Sequence, residues 1–345
     1  MRFIHTADLH LDAPLGALSA RAMVRREALG VLGQMIEYAS KRQIKYMVIA
    51  GDLFDSPSPS AATLGAVQKM MREASLTFLI APGNHDRLVS GGYVGARWPK
   101  NVHIFGAQTE VMSFEEGSFI GVGMYEGMHG HPLSAISVPA GKRVAVLHGS
   151  LADTNPLHRI DEQVLSALGV DYAALGHIHK GQEPQRACNT WVGTPGSPAP
   201  HGFDELGVRS FLDIQIDEGG VHWQRINTQG ARFWEECIEI SEQDTQSEIL
   251  GRLMLSAARY GEKDIFRFRL QGQTLCSLPA ELEEYPALAE IINETTLPLS
   301  IEKEAAQRSL RGYFIREMQD LIQNAPVGQK AKYEAALRLG LEAFE

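Results

Sequence analysis

Cysteine is scarce: three in 345 residues, at positions 188, 237 and 276. They form no metal-binding or redox spacing and are too few and too scattered for a disulfide framework. A structural zinc site built on cysteine is not expected, and a reducing compartment is. Positive charge is also short. The chain has 32 lysines and arginines against 42 aspartates and glutamates, a net charge of −10. Such a surface does not suit a protein that coats duplex DNA. It leaves room for an enzyme whose metal ions and local arginines handle phosphate. No apolar run approaches the length of a membrane span. The opening MRFIHTAD runs straight into a strand, without the apolar stretch and cleavage site of a signal peptide. A cytoplasmic protein with no membrane contact is expected. Repeats and low-complexity segments are absent. What is present is ordinary for a globular protein, 44% hydrophobic and 21% charged, and long enough for two domains.

The first half reads as alternating strands and helices. A strand over 2–7 ends at Asp8. A helix over 20–42, with Ser19 as its N-cap, carries Met23, Val24, Ala28, Leu29, Leu32, Met35, Ile36 and Ala39 on one stripe. The strand YMVIA ends at Gly51-Asp52, an amphipathic helix follows over 60–74, and LTFLIA ends at Pro82-Gly83-Asn84. Beyond residue 100 come short strands, a short helix near 161–168 and a hairpin around Glu218-Gly219-Gly220. The pattern predicts an α/β protein with two sheets packed face to face and flanked by helices. A boundary is expected near 228–232. The domains are then 1–228, a small α/β domain over 229–325 and a helical tail over 326–345. In the last part FWEECIEIS, DIFRFRLQG and LPLSIEKE read as strands, and 242–259, 304–324 and 329–343 as helices.

Polar residues recur at the strand ends. The set is Asp8, His10, Asp52, Asn84, His85, His148, His177 and His179. Open α/β sheets carry their sites at such ends. Asp8 and His10, and likewise His177 and His179, are two apart, so each pair can face one side of an extended segment. Singly, each has a bland reading: a turn aspartate, a left-handed asparagine, a surface histidine among 12. Five polar clusters at five strand ends argue against that. The set exceeds what one divalent ion needs and suffices for two that share a carboxylate. Mixed nitrogen and oxygen ligation suits manganese, iron or zinc, not magnesium or calcium alone.

The series D-x-H (8–10), G-D-L-F-D (51–55), G-N-H-D (83–86), H-G (148–149) and G-H-I-H (176–179) resembles the calcineurin-like metallophosphoesterases. Its order and the HTADLHLD opening are most similar to the SbcD-type DNA repair exonucleases, in particular their YhaO-like branch. The resemblance implies a four-layer α/β/β/α sandwich with a smaller C-terminal α/β capping domain. It implies two divalent ions, most simply Mn2+ with Fe2+ or Zn2+ as alternatives. Asp8, His10 and His179 would hold one, Asn84, His148 and His177 the other, with Asp52 between them. His85 would face the substrate and stabilise or protonate the leaving oxygen, and Asp86 would orient the loop or the imidazole. The implied activity is metal-dependent DNA hydrolysis, 3′-to-5′ exonucleolytic with some endonucleolytic action, in DNA repair. The implied partners are DNA, an SMC-like ATPase and a second copy of the chain. One position departs from the family: Asp12 stands where many of these nucleases have glycine.

Further candidates are weaker. Arg87, Ser197 and His201 are possible phosphate contacts, the last two in the Pro- and Gly-rich stretch 192–205. The H-x-H of 129–131 reads as surface, and His5, His103, His158 and His222 as structural. Two rival readings stand beside the nuclease. One is a small-molecule phosphodiesterase or protein phosphatase on the same scaffold, which the acidic charge favours. The other is a recruitment protein with a vestigial site, which the complete ligand set opposes. In the C-terminal part the stripe Leu310, Tyr313, Phe314, Met318 and Leu321 is expected to be covered. The stripe Tyr333, Ala336, Leu337 and Leu341 is expected to be free to dock a partner.

Overall fold

The structure, a computed structural model, describes residues 1–13, 28–261, 263–276, 289–298 and 300–344. The first part of the helix expected over 20–42, including Ser19, Met23 and Val24, lies outside the described residues. The chain divides into two compact units, Met1–Arg232 and Phe233–Glu345.

In the first unit the described strands are β1 (Arg2–Thr6), β2 (Tyr46–Ile49), β3 (Thr77–Ile80), β4 (Val102–Ile104), β5 (Glu110–Phe114), β6 (Gly117–Gly121), β7 (Arg143–Leu147), β8 (Tyr172–Leu175), β9 (Gln182–Ala187), β10 (Thr190–Thr194), β11 (Ser210–Asp217) and β12 (Gly220–Asn227). They form two six-stranded sheets, ordered β12-β11-β1-β2-β3-β4 and β5-β6-β7-β8-β10-β9. The central strands of each are parallel. Helices α1 (Ala28–Lys41), α2 (Ala61–Glu73) and α3 (Glu162–Leu168) complete the layers.

Period-2 alternation assigns the residues to those layers. On β1, Phe3 enters the core between the sheets while Ile4 enters the core under α1 and α2. On β2, Val48 faces the other sheet, and Met47 and Ile49 face the helices. On β7, Val144 and Val146 face the first sheet, and Ala145 and Leu147 join Leu165 and Leu168 of α3. Both faces of both sheets are therefore buried, and the central strands read as near-continuous apolar runs. Each large side chain sealed there contributes about 1.5–3 kcal/mol. The result is the expected α/β architecture with two large, helix-flanked sheets. One detail differs: the loop expected over 192–205 begins inside β10, which pairs parallel with β8.

The second unit has a parallel three-stranded sheet, β13 (Phe233–Ile240), β14 (Ile265–Gly272) and β15 (Ala289–Asn293). Phe266, Phe268 and Leu270 pack with Ile249 and Leu253 of α4 (Gln246–Ala257). The opposite face carries Glu235, Arg267, Arg269 and Glu290, joined by ion pairs. The strand expected at LPLSIEKE is instead α5 (Ser300–Ala305), and the third strand comes from AEIIN. Ile301 and Ala305, four apart, bury one side of that turn, and the Glu and Lys between them are good helix formers.

The two helical stripes also differ from expectation, the first in part. In α6 (Leu310–Asn324) Ile315 faces the core with Phe314, Met318 and Ile322, while Leu310, Tyr313 and Leu321 are exposed. In α7 (Val327–Glu342) Leu337 and Leu341 are buried against that same cluster. The segment expected as a separate tail with a docking stripe therefore packs within the second unit. Its buried Arg338 donates to the Thr295 carbonyl at 3.1 Å. Among the described residues no helix is long and apolar enough to cross a membrane.

Candidate two-metal site

Strands β1, β2 and β3 run parallel in one sheet, and β7 and β8 in the other, so all five release their chains at C-terminal sheet edges. The loops there hold the candidates. Contrary to expectation, Asp8 and His10 do not meet through an extended segment. Their backbones are left-handed, with φ of 54° and 42°, and so are those of Asp52 (49°) and His177 (79°). Such turns cost a non-glycine residue about 1–2 kcal/mol. They are held by backbone bonds from Asp8 to Gly51 (3.0 Å), His10 to Asp52 (2.9 Å) and Leu11 to Leu53 (2.9 Å). Gly51 has φ of 92°, and a Cβ there would strike the His148 imidazole.

A chain of hydrogen bonds decides which imidazole nitrogen faces the centre. His10 Nδ1 donates to Asp55 (2.9 Å), His148 Nδ1 to the Ala50 carbonyl (2.9 Å), His179 Nδ1 to Glu205 (2.5 Å) and His177 Nε2 to Asp153 (3.0 Å). A neutral imidazole has one N–H and one lone pair. The lone pairs therefore point inward at His10 Nε2, His148 Nε2, His179 Nε2 and His177 Nδ1.

Inward, acceptors meet acceptors. His10 Nε2 and His179 Nε2 lie 3.2 Å apart. Asn84 Oδ1 is 2.8 Å from His148 Nε2 and 3.2 Å from His177 Nδ1. Asp52 Oδ2 sits between the two groups, 3.5 Å from His10 Nε2 and 3.3 Å from His148 Nε2. Asp8 accepts from the His177 amide through Oδ1, and its Oδ2 is buried without a partner. Lone pairs that converge in this way favour a cation. Asp8, His10 and His179 form one group able to hold a metal ion, and Asp8, Asp52 and His148 another. The donor set of imidazole, carboxylate and amide oxygen fits two divalent ions.

The electrostatics agree. On protein charges alone, burial pushes Asp8 up to about 6. Burial would also raise Asp52, but His148 and His10 more than offset it and hold Asp52 well below the usual carboxylate range. Burial would lower His148, but Asp52 and Asp8 push it up to about 9. This buried cluster recruits positive charge, a proton when nothing else is supplied.

The remaining expected residues take varied positions. His85 is half exposed at the rim, with its ring 4.6 Å from that of His10 and its amide donating to Asp52 at 2.9 Å. Asp86 is buried, and among the described residues its hydrogen-bond partners do not include the His85 imidazole. It accepts from Gly83, Leu53, Phe54 and the Tyr93 hydroxyl, so it ties two site loops together. Arg87 is exposed and braces the Asn84 carbonyl at 3.1 Å. Ser197 is buried with its hydroxyl on Glu205, so it has no surface to offer a phosphate, contrary to expectation. His201 donates to Glu205 at 2.8 Å and lies against the His10 and His179 rings.

Several residues gave no sequence signal. Asp153 and Glu205 lie in loops with no recognisable spacing, and Asp55, though inside G-D-L-F-D, reads as a turn acid. His131, expected at the surface, is held at 3.1 Å from the His148 carbonyl, and burial pushes it down to about 4. His158, expected to be structural only, lies tilted against the His177 ring, 4.3 Å between centroids. Asp12 is left-handed (φ 70°), a conformation that glycine adopts more easily. Its carboxylate holds the start of α2 through Ser60 and Thr63.

Residues 1–181 match the calcineurin-like phosphoesterase family. The chain belongs to this family. It is therefore a metal-dependent phosphoesterase, from a family of hydrolases that work with dinuclear metal sites. The chain is 25% identical over 298 residues to the uncharacterized metallophosphoesterase YhaO of Bacillus subtilis, covering 80% of this chain and 70% of that one. It is 25% identical over 346 aligned positions to the DNA double-strand break repair protein Mre11 of Methanopyrus kandleri, covering 88% of this chain and 75% of that protein. Among solved structures it is similar to a dimetal phosphatase from Danio rerio, with 14% identity, a TM-score of 0.47 and 66% of this chain and 96% of that one covered.

Proposed function

We propose that the protein is a manganese-dependent DNA phosphodiesterase, a 3′-to-5′ exonuclease with some endonuclease action, serving DNA repair in the cytoplasm. The observation that carries this is the extent of the likeness to an archaeal Mre11. At 88% of the chain it exceeds the 232 residues of the first unit and enters the second. A small substrate needs no such second unit; a nucleic acid gives it work, selecting among DNA structures. An SMC-like ATPase and a second copy of the chain are the proposed partners, on the strength of the SbcD-type resemblance.

In this reading Asp8, His10 and His179 hold one ion, Asn84, His148 and His177 the other, and Asp52 both. When bound, the ions neutralise charge on phosphate oxygens and lower the pKa of water. The chain's own groups do the rest. His85, at the rim, donates a proton or hydrogen bond to the departing oxygen. Asp86 keeps the His85 loop and the Asp52 loop in register. Arg87 and His201 are the proposed phosphate contacts.

The test is incubation with manganese and end-labelled single- and double-stranded DNA, beside a cyclic nucleotide and a phosphoprotein. Shortening of DNA from its 3′ end, lost in Asp52→Asn, is expected. Turnover of the cyclic nucleotide or phosphoprotein with DNA left intact would replace this reading with the rival that the net charge of −10 favours.

A further inference from the structure

The two histidines of G-H-I-H present different ring nitrogens to the centre, and each is held by a different carboxylate. His177 Nε2 donates to Asp153 Oδ2 at 3.0 Å, which leaves Nδ1 inward. His179 Nδ1 donates to Glu205 Oε1 at 2.5 Å, which leaves Nε2 inward. The carboxylates come from separate loops and have separate supports. Asp153 also accepts from the Asn155 amide at 2.8 Å and lies 3.9 Å from His158 Nδ1. Glu205 is buried, accepts from Ser197 and from His201 (2.8 Å), and lies 3.5 Å from Arg209. Arg209 in turn donates to the Ser197 hydroxyl at 2.7 Å and to the His179 carbonyl.

We propose that Asp153 and Glu205 are positioning residues, one for each metal position, so that the two affinities can be lost separately. This rests on the two-metal reading above. An imidazole without its outer partner can rotate or move its N–H to the inward nitrogen, where it opposes a cation. Partners of this kind are worth about 10–100-fold in metal affinity. The bonds assign Asp153 to the position of Asn84, His148 and His177, and Glu205 to that of Asp8, His10 and His179. No hydrogen bond links Asp153 to the Glu205 network among the contacts described, so neither change should spread to the other position.

The test is Mn2+ titration of the metal-free full-length protein, followed by calorimetry and by the electron paramagnetic resonance of free Mn2+. Wild type should take two ions. Asp153→Ala should weaken one step about 10–100-fold and spare the other. The decisive arm uses Asn84→Ala, which removes a ligand from one position only. In that background Asp153→Ala should leave the remaining step unchanged, and Glu205→Gln should weaken it. Asp153 lies on a partly exposed loop, so its variant keeps the test valid even if Glu205→Gln fails to fold. Two ions in wild type with equal loss at both steps in Asp153→Ala, or weakening of the remaining step when Asp153→Ala is added to Asn84→Ala, overturns the proposal alone. A wild type that takes a single ion overturns the two-metal reading and the proposal with it.

Discussion

Replacing Asp86 by alanine removes the acceptor for four buried donors at once. Oδ1 accepts from the Gly83 amide at 2.7 Å, and Oδ2 from Leu53 (2.9 Å), Phe54 (3.3 Å) and the Tyr93 hydroxyl (3.2 Å). A buried donor left without a partner costs about 1–3 kcal/mol. Water entering the vacated space would satisfy some of the four, so the expected loss is the bottom of the sum, about 4 kcal/mol. For a unit of this size each kcal/mol shifts the melting temperature by about 2–4 °C, which gives a fall of roughly 8–16 °C. Asp86→Asn should not rescue, because one of its two positions becomes a donor facing donors. The assay is thermal unfolding of chelator-treated protein. A second readout follows from the geometry: Gly83 and Leu53 flank Asn84 and Asp52, so metal uptake should weaken as well. A fall below about 2 °C with normal metal uptake would refute the reasoning.

His85→Ala should keep both metals and lose about 10²–10⁴-fold in turnover, since it removes a proton or hydrogen-bond donor but no ligand; metal analysis beside kinetics checks it, and loss of metal would make His85 a ligand. His5 is buried with its ring bonded to the Tyr172 hydroxyl and the Leu175 carbonyl, and burial pushes it down to about 3. Its neutral form therefore stabilises the fold fully above the ordinary histidine value of about 6.5, and that contribution is lost as pH falls toward 3. His5→Gln should flatten the decline in urea stability between pH 7 and 5; an unchanged slope would exclude His5 as its source. Asp12→Ala should cost more than Asp12→Gly in urea unfolding. Both lose the bonds to Ser60 and Thr63, but only alanine keeps the burden of a left-handed backbone, about 1–2 kcal/mol. Equal losses would show that the turn is unstrained.

Much of the first unit was legible because its strands are buried on both faces. YMVIA and LTFLIA are apolar throughout, and Asp52 and Asn84 mark where each run stops. The candidates stood out because polar groups at five strand ends are improbable in a merely solvated surface. The second unit was less legible. LPLSIEKE carries apolar residues compatible with either strand or helix, and burial of Ile301 and Ala305 on one side of a turn settled it as helix. The stripes of α6 and α7 each had two plausible inner faces, and mutual packing selected Ile315, Leu337 and Leu341.

The sequence by itself determined the kinds of donor atom, their order along the chain and the strands that deliver them, because these follow from residue identity and local apolar pattern. Only the tertiary structure decided which ring nitrogen each histidine turns inward, since that depends on an outer partner brought from a distant loop. Glu205 reaches His179 across 26 residues, Asp55 reaches His10 across 45, and the Ala50 carbonyl reaches His148 across 98. No local pattern encodes such a bond, because it exists only once the fold has brought loops distant in sequence to the same strand ends.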